Sequence, residues 1–293
     1  ELDFGPFTCI AGPNGSGKSN IFDAIEFLSH LSDKSLMEAA LKIRGGTPET
    51  ADLADIFWRD AQDAQRKIHI AVEMIVDPDI TDDFGRPCRA TSTFLRYEVE
   101  LGYEPPGENS LLGRLFLEHE SLQYIPENIA YKKLLFPHRA EAFRRSIVSN
   151  SRRSKSGYIS TENASDGTTE ILVHADGGSR GSPQKSPARD APRTIVATSN
   201  TSSTPTILAV RRELQNWRVL ALEPSAMRSA DRFYDDPNIT ESGDHIPATL
   251  HRLKARNTRK NDQSDALAEI SKDLAQFVPV TGIDVNRDEA RQL

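Results

Sequence analysis

Residues 12–19, Gly-Pro-Asn-Gly-Ser-Gly-Lys-Ser, match the pattern G-x-x-x-x-G-K-[ST] of a phosphate-binding loop. The glycines of this stretch have no Cβ, so the backbone can wrap around an anion and turn its N–H groups inward. We expect Lys18 to reach the β- and γ-phosphates as the catalytic cation, and Ser19 to ligate Mg²⁺. The predicted nucleotide-binding residues are Gly12, Asn14, Gly15, Ser16, Gly17, Lys18, Ser19 and Asn20.

The residues on both sides of this loop fit the arrangement that the motif requires. Phe7–Ala11 is short, apolar and β-prone, which predicts a strand, and Ile21, Ile25 and Leu28 recur at helical spacing. Strand, glycine-rich loop and helix is the arrangement of a P-loop. The alternative is a glycine turn before an ordinary helix, and the complete motif with both flanks argues against it.

Length and composition limit the class of protein. The 293 residues are enough for one large domain or two ordinary ones, and the formal net charge is −7. Any nucleic-acid site must therefore be a local basic patch. No stretch is apolar for long enough to span a bilayer, and two cysteines form no disulfide framework, so we expect a cytoplasmic protein. The chain begins at Glu1 shortly before the P-loop, which favours a portion of a longer chain.

The region after the loop changes from helical to strand periodicity. Helices are predicted at Ser35–Ile43 and Asp52–Phe57, and three strands at 67–76, 93–103 and 114–125. Successive strands without intervening helices indicate an antiparallel meander.

Residues 132–155 carry eight basic side chains against one acidic side chain. Such a run can contact DNA phosphates, and the alternative is a solvated helix face around 140–148. The candidate DNA-contacting residues are Lys132, Lys133, Arg139, Arg144, Arg145, Arg152 and Arg153. A hairpin is predicted across Asp166-Gly167, and residues 175–206 are predicted to be a long mobile loop.

Periodic segments return after residue 206. We predict a helix at 207–214, a buried strand at 217–222, helices at 245–256 and 263–277, and a strand at 280–285. The chain is accordingly divided into a P-loop lobe with an antiparallel sheet (1–131), a basic insertion with a mobile loop (132–206) and a helical segment returning to the ATPase core (207–293).

Residues 12–20 after Phe4-Gly5-Pro6-Phe7 resemble the opening of ABC-type ATPase heads of the SMC and RecF sort, including bacterial AAA family ATPases linked to DNA repair, overcoming-lysogenisation nucleases and phage defence. Residues 217–224, 242–253 and 283–285 resemble later segments of that group. The resemblance implies an α/β P-loop NTPase with an ABC-ATPase-head-like fold, in which an antiparallel β meander flanks the nucleotide-binding core. It also implies ATP as the nucleotide and a homodimer that sandwiches ATP between two heads.

The sequence departs from that pattern because its signature motif, Walker B strand and switch histidine are not found. Asp176–Ser179 and Ser242–Asp244 lack the preceding Leu-Ser, and we interpret them as a linker and a helix cap. Glu223 follows an apolar run, but Leu222 occupies the position of the Walker B aspartate. Gln62 and Gln65 do not identify a Q-loop. Hydrolysis therefore requires groups not found here, and the histidines show no zinc-site spacing.

These observations favour an ATPase head that couples ATP-driven dimerisation to DNA transactions such as repair, chromosome maintenance or phage defence. The first alternative is a nucleotide-sensing module that gates a partner nuclease or toxin with little turnover. The second is a small-molecule kinase or GTPase. The predicted meander and the lack of an Asn-Lys-x-Asp motif argue against it.

Overall fold

A computed structural model describes residues 2–5, 7–43, 53–57, 66–107, 113–134, 138, 139, 141, 143, 157–176, 182–235, 238–260 and 266–290, with the side chains of 256–260 excepted. Contacts divide the chain into two compact units, Glu1–Trp217 and Arg218–Leu293. The predicted division at residues 131 and 206 stays a prediction.

The first unit contains both helices and strands. Its helices are α1 (Lys18–Leu31), α2 (Leu36–Lys42), α3 (Glu127–Ala130), α4 (Ile195–Thr198) and α5 (Pro205–Asn216), with a 3₁₀ turn at Leu53–Ile56. Its strands are β1 (Lys67–Ile75), β2 (Asp79–Thr81), β3 (Pro87–Arg89), β4 (Phe94–Glu104), β5 (Arg114–Tyr124), β6 (Ile159–Asn163), β7 (Thr169–Val173) and β8 (Gln184–Pro187).

Six of these strands form one antiparallel sheet in the order β1-β4-β5-β6-β7-β8. The predicted meander is confirmed as β1, β4 and β5, and the predicted hairpin as β6 and β7. The short strands β2 and β3 form a separate hairpin between β1 and β4. All these pairings are antiparallel, so this lobe differs from a parallel βαβ sheet.

One face of the six-stranded sheet carries the core. On β4, alternate residues Tyr97, Val99 and Leu101 are at most 1% exposed, as strand periodicity requires. They belong to one apolar cluster with residues of α1, α2 and α5, such as Leu31 and Leu214. The opposite face carries ion pairs, and it is covered near α3 by a small cluster of Phe94, Ile125 and Ala130. The sheet is therefore a base on which the helices, α1 included, are held.

Two predictions for the first unit are wrong. Residues 7–11 form no strand, and Phe7 is 87% exposed, because no described segment pairs with this run. The predicted mobile loop at 175–206 contains β8, α4 and the start of α5. The polar sequence of this segment does not predict these elements, because they depend on pairing with β7 and on buried side chains such as Val196. The predicted helix at 140–148 lies outside the described residues except for Glu141 and Phe143.

The second unit contains α6 (Ile246–Lys260), α7 (Ala266–Leu274) and a 3₁₀ turn at Ala226–Arg228, which agrees with the two predicted helices. The strands predicted at 217–222 and 280–285 are not formed. Residues 221–223 are nevertheless hydrogen-bonded along their backbone, with Ala221 N–H donating to Glu241 and Glu223 N–H to Ser242. Among the described residues, no helix is long and apolar enough to cross a bilayer.

Candidate functional site

The P-loop residues lie together at the beginning of α1, as predicted. The side chain of Lys18 folds back over the loop, and its Nζ donates to the carbonyl oxygens of Gly12 at 2.7 Å and Pro13 at 2.6 Å. The ammonium group therefore lies inside the curve of the loop, where the motif requires a cation for phosphate. Asn14–Gly17, Ser19 and Asn20 are exposed, so the loop is open to a ligand.

Two glycines of the loop have backbone angles that other residues rarely adopt. Gly15 has φ 79°, and Gly17, the residue directly before α1, has φ 81° and ψ 13°. At Gly12 an added Cβ would lie 3.2 Å from the Ser16 Oγ. Left-handed angles and a close approach both favour glycine, so the glycine spacing of the motif is explained by the shape of the loop.

The N-terminal end of α1 can attract an anion. The first N–H groups of a helix have no partner within it, and the helix dipole adds partial positive charge there. The first turn of α1 contains no acidic residue that would neutralise this charge, and Gly17 makes no side-chain cap. With Lys18 and Ser19 in the same turn, the site can bind phosphate, and the Ser19 hydroxyl can hold a magnesium ion.

The opposite end of α1 is fixed to the rest of the unit. Distant side chains donate to the carbonyl groups at this end: Thr194 Oγ1 to Leu31 O at 3.0 Å, and Arg211 Nε to the oxygen of the next residue, Ser32, at 3.2 Å. Arg193 donates to the carbonyl oxygen of Asp33 at 2.8 Å. The helix is thus held at its C-terminal end and presents the P-loop at its exposed end.

A buried carboxyl group supports this anchor. Glu120 on β5 is 0% exposed and accepts hydrogen bonds from the N–H groups of Ile195 at 2.7 Å and Val196 at 3.1 Å, and from the Tyr97 hydroxyl at 3.1 Å. Burial raises the pKa of Glu120 to about 7, against the lowering effect of these three donors. The sequence analysis did not identify Glu120 as a buried group. The one signal for it is that this acidic residue falls at a core-facing position of strand β5.

The second unit brings together a histidine and two aspartates. His245 Nδ1 lies 2.9 Å from Asp231 Oδ1. Asp231, Asp235 and His245 each offer one atom that could ligate a metal ion, and these three atoms lie within 4.8 Å of one another. The hydrogen bond to Asp231 raises the pKa of His245. Asp231 Oδ2 also accepts from the Ala248 N–H at 2.7 Å, so Asp231 caps α6. The predicted cap at Ser242–Asp244 instead closes the preceding turn through Ser242 and Thr240.

The other predicted residues are placed as follows. Lys133 is paired with Glu73, and Lys132 lies over the Tyr131 ring. The carbonyl oxygen of Arg139 accepts a hydrogen bond from the Phe143 N–H at 2.9 Å. Arg144, Arg145, Arg152 and Arg153 lie outside the described residues, as do Gln62 and Gln65. Glu223 lies in an irregular segment of the second unit and follows no strand. The P-loop of the first unit therefore remains the candidate phosphate-binding site.

A P-loop at the start of a helix, supported by a sheet, defines a nucleotide-binding domain of the P-loop NTPase class. Residues 7–165, which are 159 of the 293, match the family described as "AAA domain, putative AbiEii toxin, Type IV TA system". The chain belongs to this AAA-domain family. Comparison with curated proteins and with solved structures found no significant match. The family supports ATP binding, typically with Mg²⁺, and ATPase activity.

Proposed function

We propose that this chain is an ATP-binding ATPase head whose nucleotide-driven dimerisation is coupled to work on DNA. The observation that carries the proposal is the P-loop geometry: Lys18 inside the loop, Gly15 and Gly17 in left-handed conformations, and an acid-free helix start. These features together form a site for the phosphates of Mg-ATP. The AAA-domain family match over residues 7–165 supports the same activity.

The coupling to dimerisation and DNA rests on the resemblance of residues 12–20 to SMC- and RecF-type heads. In that arrangement a second copy completes the nucleotide site, and Lys132, Lys133, Arg139, Arg144, Arg145, Arg152 and Arg153 contact phosphates of DNA. The described part of the chain shows no Walker B strand beside the loop. Turnover by this chain alone is therefore expected to be low.

A second candidate is a nucleotide-sensing module that gates a partner nuclease or toxin. The family description names a toxin of a toxin–antitoxin system, which favours an effector of this kind. Both candidates require the same nucleotide site. They differ in turnover: a head that performs work hydrolyses ATP when DNA and the remaining motifs are supplied, whereas a sensor binds ATP and keeps it.

The direct test of the nucleotide site is Mg-ATP binding by the wild type and by Lys18→Ala, measured by titration calorimetry. Lys18→Ala removes a charge-assisted hydrogen bond of about 1.5–3 kcal/mol, which corresponds to roughly 10–100-fold weaker binding. Lys42→Ala, which removes an exposed lysine at the end of α2, is the matched control and should bind like the wild type. A wild type that does not bind Mg-ATP contradicts the proposal.

A further inference from the structure

Strand β1 lies at one edge of the six-stranded sheet and pairs with β4 over all nine residues without a register shift. The Tyr103 N–H donates to Arg66 O, and the Val76 N–H donates to Thr93 O. Since hydrogen-bonded positions alternate along an antiparallel strand, the even-numbered residues of β1 face β4. The odd-numbered residues therefore direct their N–H and C=O groups to the outer edge. These residues are Lys67, His69, Ala71, Glu73 and Ile75.

Within the described part of the chain, no hydrogen bond reaches this outer row of backbone groups. The other edge of the sheet is different: β8 has four residues and ends at Pro187, which has no N–H to offer. Short edge strands and proline are ordinary protections against strand pairing, and β1 has neither of them. The long, regular β1 edge is thus a template for another strand.

The sequence of β1 is complementary to itself in the antiparallel direction. With a two-fold axis through Ala71, the outer-row residues face one another as His69 with Glu73 of the second copy, and Lys67 with Ile75. On the core face, Ile70 faces Val72 and Ile68 faces Met74. A histidine–glutamate pair that can hydrogen-bond and apolar pairs across strands both stabilise a sheet. In this register each outward N–H and C=O of the five residues finds a partner.

The core face of β1 is only partly covered: its apolar side chains pack against the core cluster but stay partly exposed. Ile68, Ile70 and Val72 are half-buried, whereas Leu101, Val99 and Tyr97, which stand opposite them on β4, are at most 1% exposed. On the opposite face, Ile75 at the end of the strand is 42% exposed. An added strand with the same pattern would cover these apolar side chains.

We propose that β1 is an interface between two copies of this chain, paired antiparallel about a two-fold axis through Ala71, so that two six-stranded sheets become continuous. The sheet face opposite the core already contains the pairs Glu98–His69 and Glu73–Lys133. Pairing places His69 of one copy beside Glu73 of the other and continues this row of polar pairs across the axis. The contact uses no P-loop residue, so it forms without nucleotide and survives Lys18→Ala.

The test is the mass of the full chain by sedimentation equilibrium without nucleotide, over a range of protein concentrations. The wild type is expected to shift from 32.5 kDa toward twice that mass. Ala71→Pro removes an outward N–H that β4 does not use, so the variant should keep its circular dichroism spectrum and stay at monomer mass. Ala71→Thr, which keeps the N–H, should dimerise like the wild type.

A disulfide trap tests the axis itself and does not depend on the proline variant folding. In a Cys9→Ser, Cys88→Ser background, Ala71→Cys places two thiols across the axis, where Cα atoms of a hydrogen-bonded pair lie about 5.5 Å apart. Mild oxidation should give a covalent dimer, whereas Lys185→Cys on β8 should not. A monomeric wild type without a trapped dimer overturns the proposal. So does a dimer that Ala71→Pro leaves intact, or one that requires Mg-ATP.

Discussion

At the scale of the residue, Glu120 makes the stability of the first unit depend on pH. Its carboxyl group is fully buried between β4, β5 and the start of α4, and its pKa is raised by burial to about 7. The ion pairs of the sheet lie on its opposite face. The titratable neighbour of Glu120 is Tyr97, which donates a hydrogen bond to it and whose own pKa is raised well above 10 by burial. Tyr97 therefore stays neutral over the physiological range, and Glu120 titrates alone at this place.

This arrangement predicts a loss of stability as the pH rises. In the unfolded chain a glutamate has a pKa near 4.3, so below that value the carboxyl is protonated in both states. Between the two values the folded chain holds a proton that the unfolded chain has released. The stabilisation is therefore fully present below about pH 4 and is lost as the pH passes 7. The loss is on the order of 4 kcal/mol, from about 1.4 kcal/mol per pKa unit.

Urea unfolding of the wild type and of Glu120→Gln at pH 5, 6, 7 and 8 measures this effect. The difference in unfolding free energy between the two proteins should change with pH, because the amide does not titrate and all other groups are shared. Glu118→Gln, on the same strand but partly exposed beside Lys67, is the matched control for the same change at a position that is not buried. A difference for Glu120→Gln that is constant from pH 5 to 8 contradicts the raised pKa.

At the scale of the element, the effects of backbone strain and of ligand binding can be separated at the junction between the P-loop and α1. Gly17 and Gly85 have nearly the same φ, 81° and 78°, and an added Cβ has no close contact at either position. Gly17→Ala and Gly85→Ala should therefore each destabilise the protein by roughly 1–2 kcal/mol, the cost of a left-handed conformation for a residue with a Cβ.

The two variants should differ in nucleotide affinity, since only Gly17 belongs to the loop that surrounds the phosphates. We expect Gly17→Ala to weaken Mg-ATP binding at least tenfold, and Gly85→Ala, in the β2–β3 hairpin, to leave it unchanged. Thermal unfolding and calorimetric titration of the same samples give both quantities. Equal affinities for the two variants would mean that the loop conformation does not determine binding.

Sequence patterns predicted the elements whose partners are near in the chain. β1, β4 and β5 follow from alternating apolar residues, and α2 follows from its helical run. In the structure Ser35 forms a capping box with Glu38 at the start of α2. The strands predicted at 7–11 and 217–222 are not formed, and the reason is common to both. An apolar run becomes a strand only beside another strand, and its own residues do not specify that partner. β8 was missed because Gln184–Pro187 is polar, and pairing with β7 decides its conformation.

The candidate site shows the same division. The P-loop was predictable because its function requires glycines and lysine at fixed spacing within one stretch. The supports of α1 were not, because Thr194 and Arg211 reach its last carbonyl groups from more than 160 residues away in sequence. A single sequence contains no signal for such contacts between polar side chains and a distant helix end.

At the scale of the whole molecule, the formal net charge of −7 sets how DNA can be bound. An overall negative chain repels DNA at long range, so binding must come from a local basic surface and must weaken steeply with salt. The proposed surface is the basic segment at 132–155. If this surface binds DNA, affinity depends on the basic residues of 132–155 and not on the net charge of the whole protein.

The matched comparison is Arg144→Ala with Arg145→Ala against Arg228→Ala with Lys272→Ala, two pairs that change the net charge equally. Affinity for a fluorescent DNA duplex is measured by anisotropy between 50 and 200 mM salt. If both arginines contact phosphates, the first pair lowers the slope of log K against log salt by about 2, because each contact contributes about 0.9. The second pair is exposed and is not among the residues proposed to contact DNA, so it should leave the slope unchanged. Equal slopes for the two pairs would show that DNA affinity reflects net charge alone, and the assignment of a DNA surface to 132–155 would then be wrong.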